Sequence, residues 1–201
     1  MGFITRSGFI SALILTLIAI PGYSVSASEN IKINPDAELN ILNSLIDRGV
    51  KNADVYYNRA WLYTLKGAID KAKDDYTHAI KLDNRHADAY FNRGLILLNE
   101  GLYKEAVNDF SKAIDIKPEA SDTYCNRGNA YFLMGKALLA LKDYNSAIEM
   151  NGKDPDLYYN RAIIYQALGR IKEAKDDFSK TSELREKTRG QRTEVSKTEV
   201  D

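Results

Sequence analysis

The dipeptide Asn-Arg recurs at Asn58-Arg59, Asn92-Arg93, Asn126-Arg127 and Asn160-Arg161, each pair 34 residues after the one before. A chain that restates itself at this step builds stacked copies of one small unit, because each unit is too short to bury its own apolar face. Four more columns hold the same phase: Gly67, Gly101, Gly135 and Gly169; Ala72, Ala106, Ala140 and Ala174; Asp75, Asp109, Asp143 and Asp177; Tyr76, Phe110, Tyr144 and Phe178. Five columns in register over four copies constrain the fold more than any other property of the chain.

Inside a copy the pattern is helix, glycine, helix. In the second copy Tyr90, Gly94, Leu97 and Leu98 precede Gly101 at helical spacing, and Ala106, Phe110, Ala113 and Ile114 follow it before Pro118. Each set therefore lies on one face of a helix. The intervening Gly can end the first helix in a left-handed conformation with no Cβ to clash. The expected helix pairs are 53–66 with 69–82, 87–100 with 103–116, 121–134 with 137–150 and 155–168 with 171–186, in copies spanning 53–86, 87–120, 121–154 and 155–188. Ahead of them, Asn34-Pro35-Asp36 reads as a helix start, with an Asn cap, Pro in the first turn and an acid near the positive helix end. Leu39, Leu42, Leu45 and Ile46 give that helix an apolar stripe, and Gly49 ends it, so 34–50 is expected to be an N-terminal capping helix. Beyond Leu184 the chain is polar, and 189–201 is expected to be a disordered tail.

These columns resemble the tetratricopeptide repeat, whose 34-residue pattern is Trp-x-x-Leu-Gly-x-x-Tyr, then Ala-x-x-x-Phe, then Pro. The resemblance covers 53–186, about two thirds of the chain. The Trp place holds Tyr56, Tyr90, Tyr124 and Tyr158; the Gly place Ala60, Gly94, Gly128 and Ala162; the Tyr place Tyr63, Leu97, Tyr131 and Tyr165. Arg replaces the usual Leu in all four copies, giving the Asn-Arg-Gly/Ala variant common in bacterial members. The closing Pro survives only as Pro118, and Thr181 replaces a late Ala in the fourth copy. The resemblance implies an all-α fold, an α-solenoid in which antiparallel helix pairs stack into a right-handed superhelix, and a protein-binding function.

The N-terminus differs in kind. In residues 1–27 the only charge is Arg6, Phe9 to Ile20 is a 12-residue apolar run broken by Pro21-Gly22, and Val25-Ser26-Ala27 supplies small residues before a cleavage point. That is the layout of a secretory signal peptide, and the run falls short of the ~20 residues of a membrane-spanning helix. Export with cleavage near Ala27 is expected, to the periplasm or the exterior, with 28–33 as a linker. Membrane attachment enters only if the signal stays uncleaved. The remaining 174 residues carry a net charge of −1, which argues for no nucleic-acid partner. With Cys125 as the single cysteine, stability must come from packing.

The Arg column has a geometric reading. Arg59 lies eight residues before Gly67 and Asp75 eight after it, and the same symmetry holds for Arg93 and Asp109, Arg127 and Asp143, and Arg161 and Asp177. In an antiparallel hairpin pivoting on that Gly, the two charges sit at similar height on facing helices. Structural ion pairs are expected, within a hairpin or to the next one, with a ligand-binding Arg row as the alternative.

The resemblance also implies where partners bind. Groove-facing places of each copy are the second, fifth, ninth and twelfth to thirteenth. The fifth and ninth places hold Tyr57 and Trp61, Phe91 and Leu95, Cys125 and Asn129, and Tyr159 and Ile163. Asn58, Asn92, Asn126 and Asn160 follow the fifth place and could bond a ligand backbone or a neighbouring copy. The expected contact residues are Tyr57, Asn58, Trp61, Phe91, Asn92, Leu95, Asn126, Asn129, Tyr159 and Ile163; packing between first helices is the competing role. Asp54, Asp88, Asp122 and Asp156 open the first helices, where they complement the helix dipole and make one groove edge acidic, favouring a basic or apolar partner segment. Members that grip acidic peptide C-termini need Lys, Asn and Arg at places that here hold Tyr57, Trp61, Asn92, Asp122 and Asn126, and only Asn92 fits. Leu138 and Leu139 stand where sister copies carry Asp70-Lys71, Lys104-Glu105 and Lys172-Glu173, so a second contact patch for self-association is a further candidate.

Chemistry has little to stand on. His78 and His86 lack metal-ligand spacing, and Cys125 has no His placed beside it. No catalytic residue, metal, cofactor or small-molecule substrate is expected. The sequence reading is an exported, non-enzymatic scaffold binding a partner peptide or helix, with a self-associating component of a cell-envelope assembly as the alternative.

Overall fold

The computed structural model describes residues 34–198, all in helices or short connections and with no strand among them. The expected signal peptide and linker lie outside the described residues. The helices are α1 (Pro35–Asp47), α2 (Ala53–Leu65), α3 (Ile69–Leu82), α4 (Ala87–Asn99), α5 (Tyr103–Ile116), α6 (Ser121–Leu133), α7 (Ala137–Met150), α8 (Pro155–Ala167) and α9 (Ile171–Thr198). The chain divides into two compact units, Met1–Leu82 and Asp83–Asp201. In the first, α2 pairs with α3 and α1 packs on α2; in the second, α4 pairs with α5, α6 with α7 and α8 with α9. Within the second unit the second helix of one copy packs on the first helix of the next, α5 on α6 and α7 on α8. This is α-solenoid construction.

The start of α1 is as the sequence requires: the Asn34 side chain accepts from the Asp36 N–H at 3.0 Å, and Pro35 opens the helix. Its stripe buries Leu39 and Leu42, and Leu45 and Ile46 pack on the same cluster as Val55 and Leu62. Glu38 is buried with them, and burial raises its carboxyl above the ordinary range.

Each first helix ends on a glycine at positive φ, between 72° and 78° for Gly67, Gly101, Gly135 and Gly169. In the first copy the Gly67 N–H reaches the Thr64 carbonyl at 3.1 Å and the Ala68 N–H reaches Tyr63 at 2.9 Å. That pair of bonds satisfies two orphan carbonyls and turns the chain into the second helix. A side chain would be strained in this backbone conformation, which is why the glycine recurs.

Packing inside each hairpin closes on the Tyr/Phe column. Tyr76, Phe110 and Tyr144 are at most 1% exposed, and the small residue opposite makes room for the ring. A Cβ on Gly94 would lie 2.8 Å from Phe110 Cε1, and one on Gly128 3.1 Å from Tyr144. Burial holds the Tyr76 and Tyr144 hydroxyls well above their ordinary pKa.

One expectation is corrected. The sequence reading ends the last helix near Glu186 and leaves 189–201 as a disordered tail, whereas α9 continues through Thr198. The segment is rich in Glu, Lys, Arg and Gln, which propagate a helix without needing a buried face. Lack of apolar residues ends the packing surface, not the helix. The fourth copy shows this: Ser182 stands where Ile80, Ile114 and Ile148 stand in its sisters, and its hydroxyl bonds back to the Phe178 carbonyl at 3.1 Å.

Candidate partner-binding face

The Arg column belongs to the scaffold. Arg59, Arg93, Arg127 and Arg161 each bind their expected Asp within the hairpin through two parallel hydrogen bonds of 2.7–2.8 Å. Such fork-to-carboxylate pairs are the stronger class of hydrogen bond. The Asp side chains are 4–8% exposed and the Arg side chains 18–20%. The third guanidinium nitrogen reaches back 16 residues to the preceding helix, to Asn43 from Arg59 (2.9 Å), Ser111 from Arg127 (3.1 Å) and Asn145 from Arg161 (2.7 Å). Tyrosines cover the planar faces: Tyr56 and Tyr63 for Arg59, Tyr124 and Tyr131 for Arg127, Tyr158 and Tyr165 for Arg161, at 5.5–5.9 Å. Bonding to the Asp, opposed by burial, holds each Arg above its ordinary pKa. The alternative of a ligand-binding Arg row fails because every fork is already occupied. Sequence reasoning missed the residue 16 places upstream, although Asn43, Ser111 and Asn145 keep the 34-residue phase.

Of the expected contact residues in the first unit, Tyr57 and Trp61 are half-buried. The Tyr57 ring tilts against Tyr76 at 5.8 Å between centroids, and Trp61 packs against the Leu39–Leu42 cluster. Asn58 is a correction: at 6% exposure it does not stand on an accessible surface. One helical step of about 100° separates it from Tyr57, enough to turn its side chain inward.

In the second unit Phe91, Asn92, Leu95, Asn126, Asn129 and Ile163 are half-buried and Tyr159 is 42% exposed. Phe91 lies 6.0 Å from Phe110 and Tyr159 5.7 Å from Phe178, each fifth-place ring tilted onto the core ring of its own hairpin. The Asn126 amide donates to the Asp122 carbonyl of its own helix at 2.8 Å, so it braces the backbone.

The third copy departs from its sisters. Cys125 stands in place of an aromatic ring, and its thiol meets the Tyr144 hydroxyl at 3.7 Å. That hydroxyl donates in a short hydrogen bond to Asn129 Oδ1. The result is a chain of polar contacts on the core ring where the other copies tilt a second ring onto it. Burial pushes the Cys125 thiol up to about 11, and the carboxylates of Asp122, Asp154 and Asp156 add to the shift. A thiol so far from ionising is a poor nucleophile. In the sequence Tyr144 is only one member of the Tyr/Phe column; Cys and Asn at the fifth and ninth places of its copy are the available signal that its hydroxyl is used.

Leu138 is 73% exposed and Leu139 44%, with Leu133 from the same turn at 55%. His86 caps α4, its Nδ1 accepting from the Ala89 N–H at 3.2 Å, and His78 stacks on Tyr56 at 5.4 Å. Among the described residues no group of three or more His, Cys, Asp or Glu side chains could hold a metal ion, and no helix is long and apolar enough to cross a membrane.

Helix hairpins stacked in one phase, pinned by buried ion pairs and leaving one side of their first helices partly open, define a helical interaction scaffold. The tetratricopeptide-repeat model matches 53–86, 87–119 and 121–154, and a second model of that description matches 143–176. The chain belongs to the tetratricopeptide-repeat family, whose scaffolds serve protein–protein interaction and are in general not enzymes. Among solved structures it resembles MamA at a TM-score of 0.74, with 21% identity over 78% of this chain and 91% of that one. MamA from Desulfovibrio magneticus RS-1 gives 0.72, with 18% identity over 76% and 86%. YrrB, described as a TPR protein with an unusual peptide-binding site, gives 0.66, with 25% identity over 73% and 75%. No curated protein sequence matches the chain.

Proposed function

We propose that the protein is an exported interaction scaffold that holds an extended or helical segment of a partner protein against the first-helix row of its repeats. The observation that carries this reading is the set Phe91, Leu95, Tyr159 and Ile163, apolar side chains on first helices of one unit that internal packing leaves partly open to water. Aromatic and aliphatic anchors of this kind supply much of the free energy at protein interfaces. Export rests on the apolar run Phe9 to Ile20 followed by Val25-Ser26-Ala27, and puts the partner in the periplasm or outside the cell. The test is cross-linked capture from the cell envelope, with bait recovered from that fraction so that its mass reports the cleavage point. Leu95→Ala with Tyr159→Ala should cut capture of the principal partner at least about tenfold while helical content by circular dichroism is kept. Undiminished capture would remove the row as the binding face.

A second reading, self-association, is favoured by Leu133, Leu138 and Leu139, three leucines exposed around one turn. Large apolar side chains left this exposed close together in the chain suit an interaction surface. Light scattering should then show a mass that rises with concentration and a return to monomer in Leu138→Glu. A monomer at every concentration sinks this reading and leaves the first untouched.

A further inference from the structure

A segment laid along the first-helix row brings a polar backbone with it. An extended segment must find partners for its N–H and C=O groups in the row, whereas a helix bonds its own. Asparagine suits the gripping of an extended backbone, because one amide donates through nitrogen and accepts through oxygen. In the second unit the row carries Asn92, Asn126, Asn129 and Asn160. The Asn126 nitrogen donates to the Asp122 carbonyl at 2.8 Å, and the Asn129 oxygen accepts from the Tyr144 hydroxyl. Asn160 bonds that same hydroxyl in the neighbouring copy, and Asn92 is not free either. No asparagine of this row stands with both ends of its amide uncommitted.

The acidic edge is engaged in the same way. Asp88 pairs with Lys117 at 3.0 Å and Asp156 with Arg185 at 2.8 Å, each within its own copy. Asp122 opens α6 and Gln166 nearly ends α8, so these exposed polar groups lie at opposite ends of the row. What the row leaves open along its length is apolar: Phe91, Leu95 and Leu98 on α4, Phe132 on α6, Tyr159 and Ile163 on α8. The α4 set follows the spacing i, i+4, i+7, a stripe on one helix face.

We infer that the row accepts an amphipathic α-helix of the partner, apolar face down, and not an extended strand. This rests on the first-helix row being the binding face. A helix arrives with its backbone already satisfied and asks the row only for apolar contact, through anchors at i, i+3 or i+4, and i+7. An extended strand would lose its water without regaining a ladder of hydrogen bonds.

Two phage-displayed libraries panned on the immobilised full-length protein test this. The first randomises i, i+3, i+4 and i+7 of a helix-forming Ala/Glu/Lys peptide of about 15 residues, roughly four turns. The second randomises alternate positions between prolines, which hold the peptide extended. Binders are expected from the first library, with apolar residues at the randomised positions. Proline placed at the centre of a selected peptide should weaken it at least about tenfold. Leu95→Ala with Tyr159→Ala in the protein should do the same, with its circular dichroism unchanged. Binders from the proline library that this double variant weakens, or helical-library binders indifferent to central proline, overturn the helix and keep the binding face. Loss of peptide as the protein's own concentration rises puts a second copy on the row and overturns the partner helix. No binder from either library, or binders indifferent to the double variant, overturns the face and the inference together.

Discussion

Asp143→Ala should lower the unfolding free energy by about 3 kcal/mol, a larger loss than any surface substitution would give. Asp143 is buried, and its loss leaves the Arg127 guanidinium, itself only 18% exposed, between Tyr124 and Tyr131 with Ser111 as its remaining bond. The cost is that of a charge stranded away from water, not the net worth of the pair, because desolvation already offsets much of the pair's attraction. Removing both charges is therefore expected to be gentler than removing one. Arg127→Leu combined with Asp143→Leu should fall within about 1 kcal/mol of the parent, the more so because Leu is what the repeat pattern ordinarily places at the Arg position. Urea unfolding followed by far-ultraviolet circular dichroism measures all three proteins. Should the double variant be as unstable as Asp143→Ala, the pair itself, not the stranded charge, holds the hairpin.

That network shows what a repeated sequence makes legible and what it hides. The Arg–Asp pairs could be read because both partners keep one phase and the Gly between them fixes the fold-back. Helix limits were legible for the same reason, with α2, α4, α6 and α8 ending one residue before the expected positions. Invisible in advance was the third bond of Arg59, Arg127 and Arg161, which runs to a residue of varying type, Asn43, Ser111 or Asn145. A column that conserves hydrogen-bonding capacity but not identity is hard to see in one chain. The end of α9 misled for a different reason: polar composition was read as absence of structure, although helix propensity needs no buried face.

For the candidate site, position was legible and accessibility was not. Asn58, Asn92 and Asn126 occupy equivalent places, yet Asn58 is buried and Asn126 bonds its own helix. Equivalence in the repeat fixes where a side chain starts, while its neighbours decide where it ends. The columns were most informative where they break, at Cys125 and Asn129, because three sister copies carry aromatic rings at the former place and apolar side chains at the latter.

Phe110→Ala should destabilise the second unit by about 4 kcal/mol, since the ring is fully buried and the cavity left behind is walled by two helices that cannot collapse onto it freely. The informative comparison is with Gly94→Ala. In the parent protein that Cβ would sit 2.8 Å from the ring, and the ring is buried on every side. Overpacking of about 2 kcal/mol then outweighs the roughly 1 kcal/mol that Ala gains over Gly inside a helix. With Phe110 already truncated the clash disappears and only the propensity gain remains, so Gly94→Ala should stabilise the Phe110→Ala protein by about 1 kcal/mol. A sign reversal between the two backgrounds identifies the ring as the reason for Gly at this place. An equal loss in both would mean that the helix backbone, not Phe110, excludes a side chain there. Because Phe91 leans on Phe110 at 6.0 Å, the same truncation also withdraws support from a residue of the binding row. Peptide binding in Phe110→Ala should fall even at temperatures where the unit remains folded.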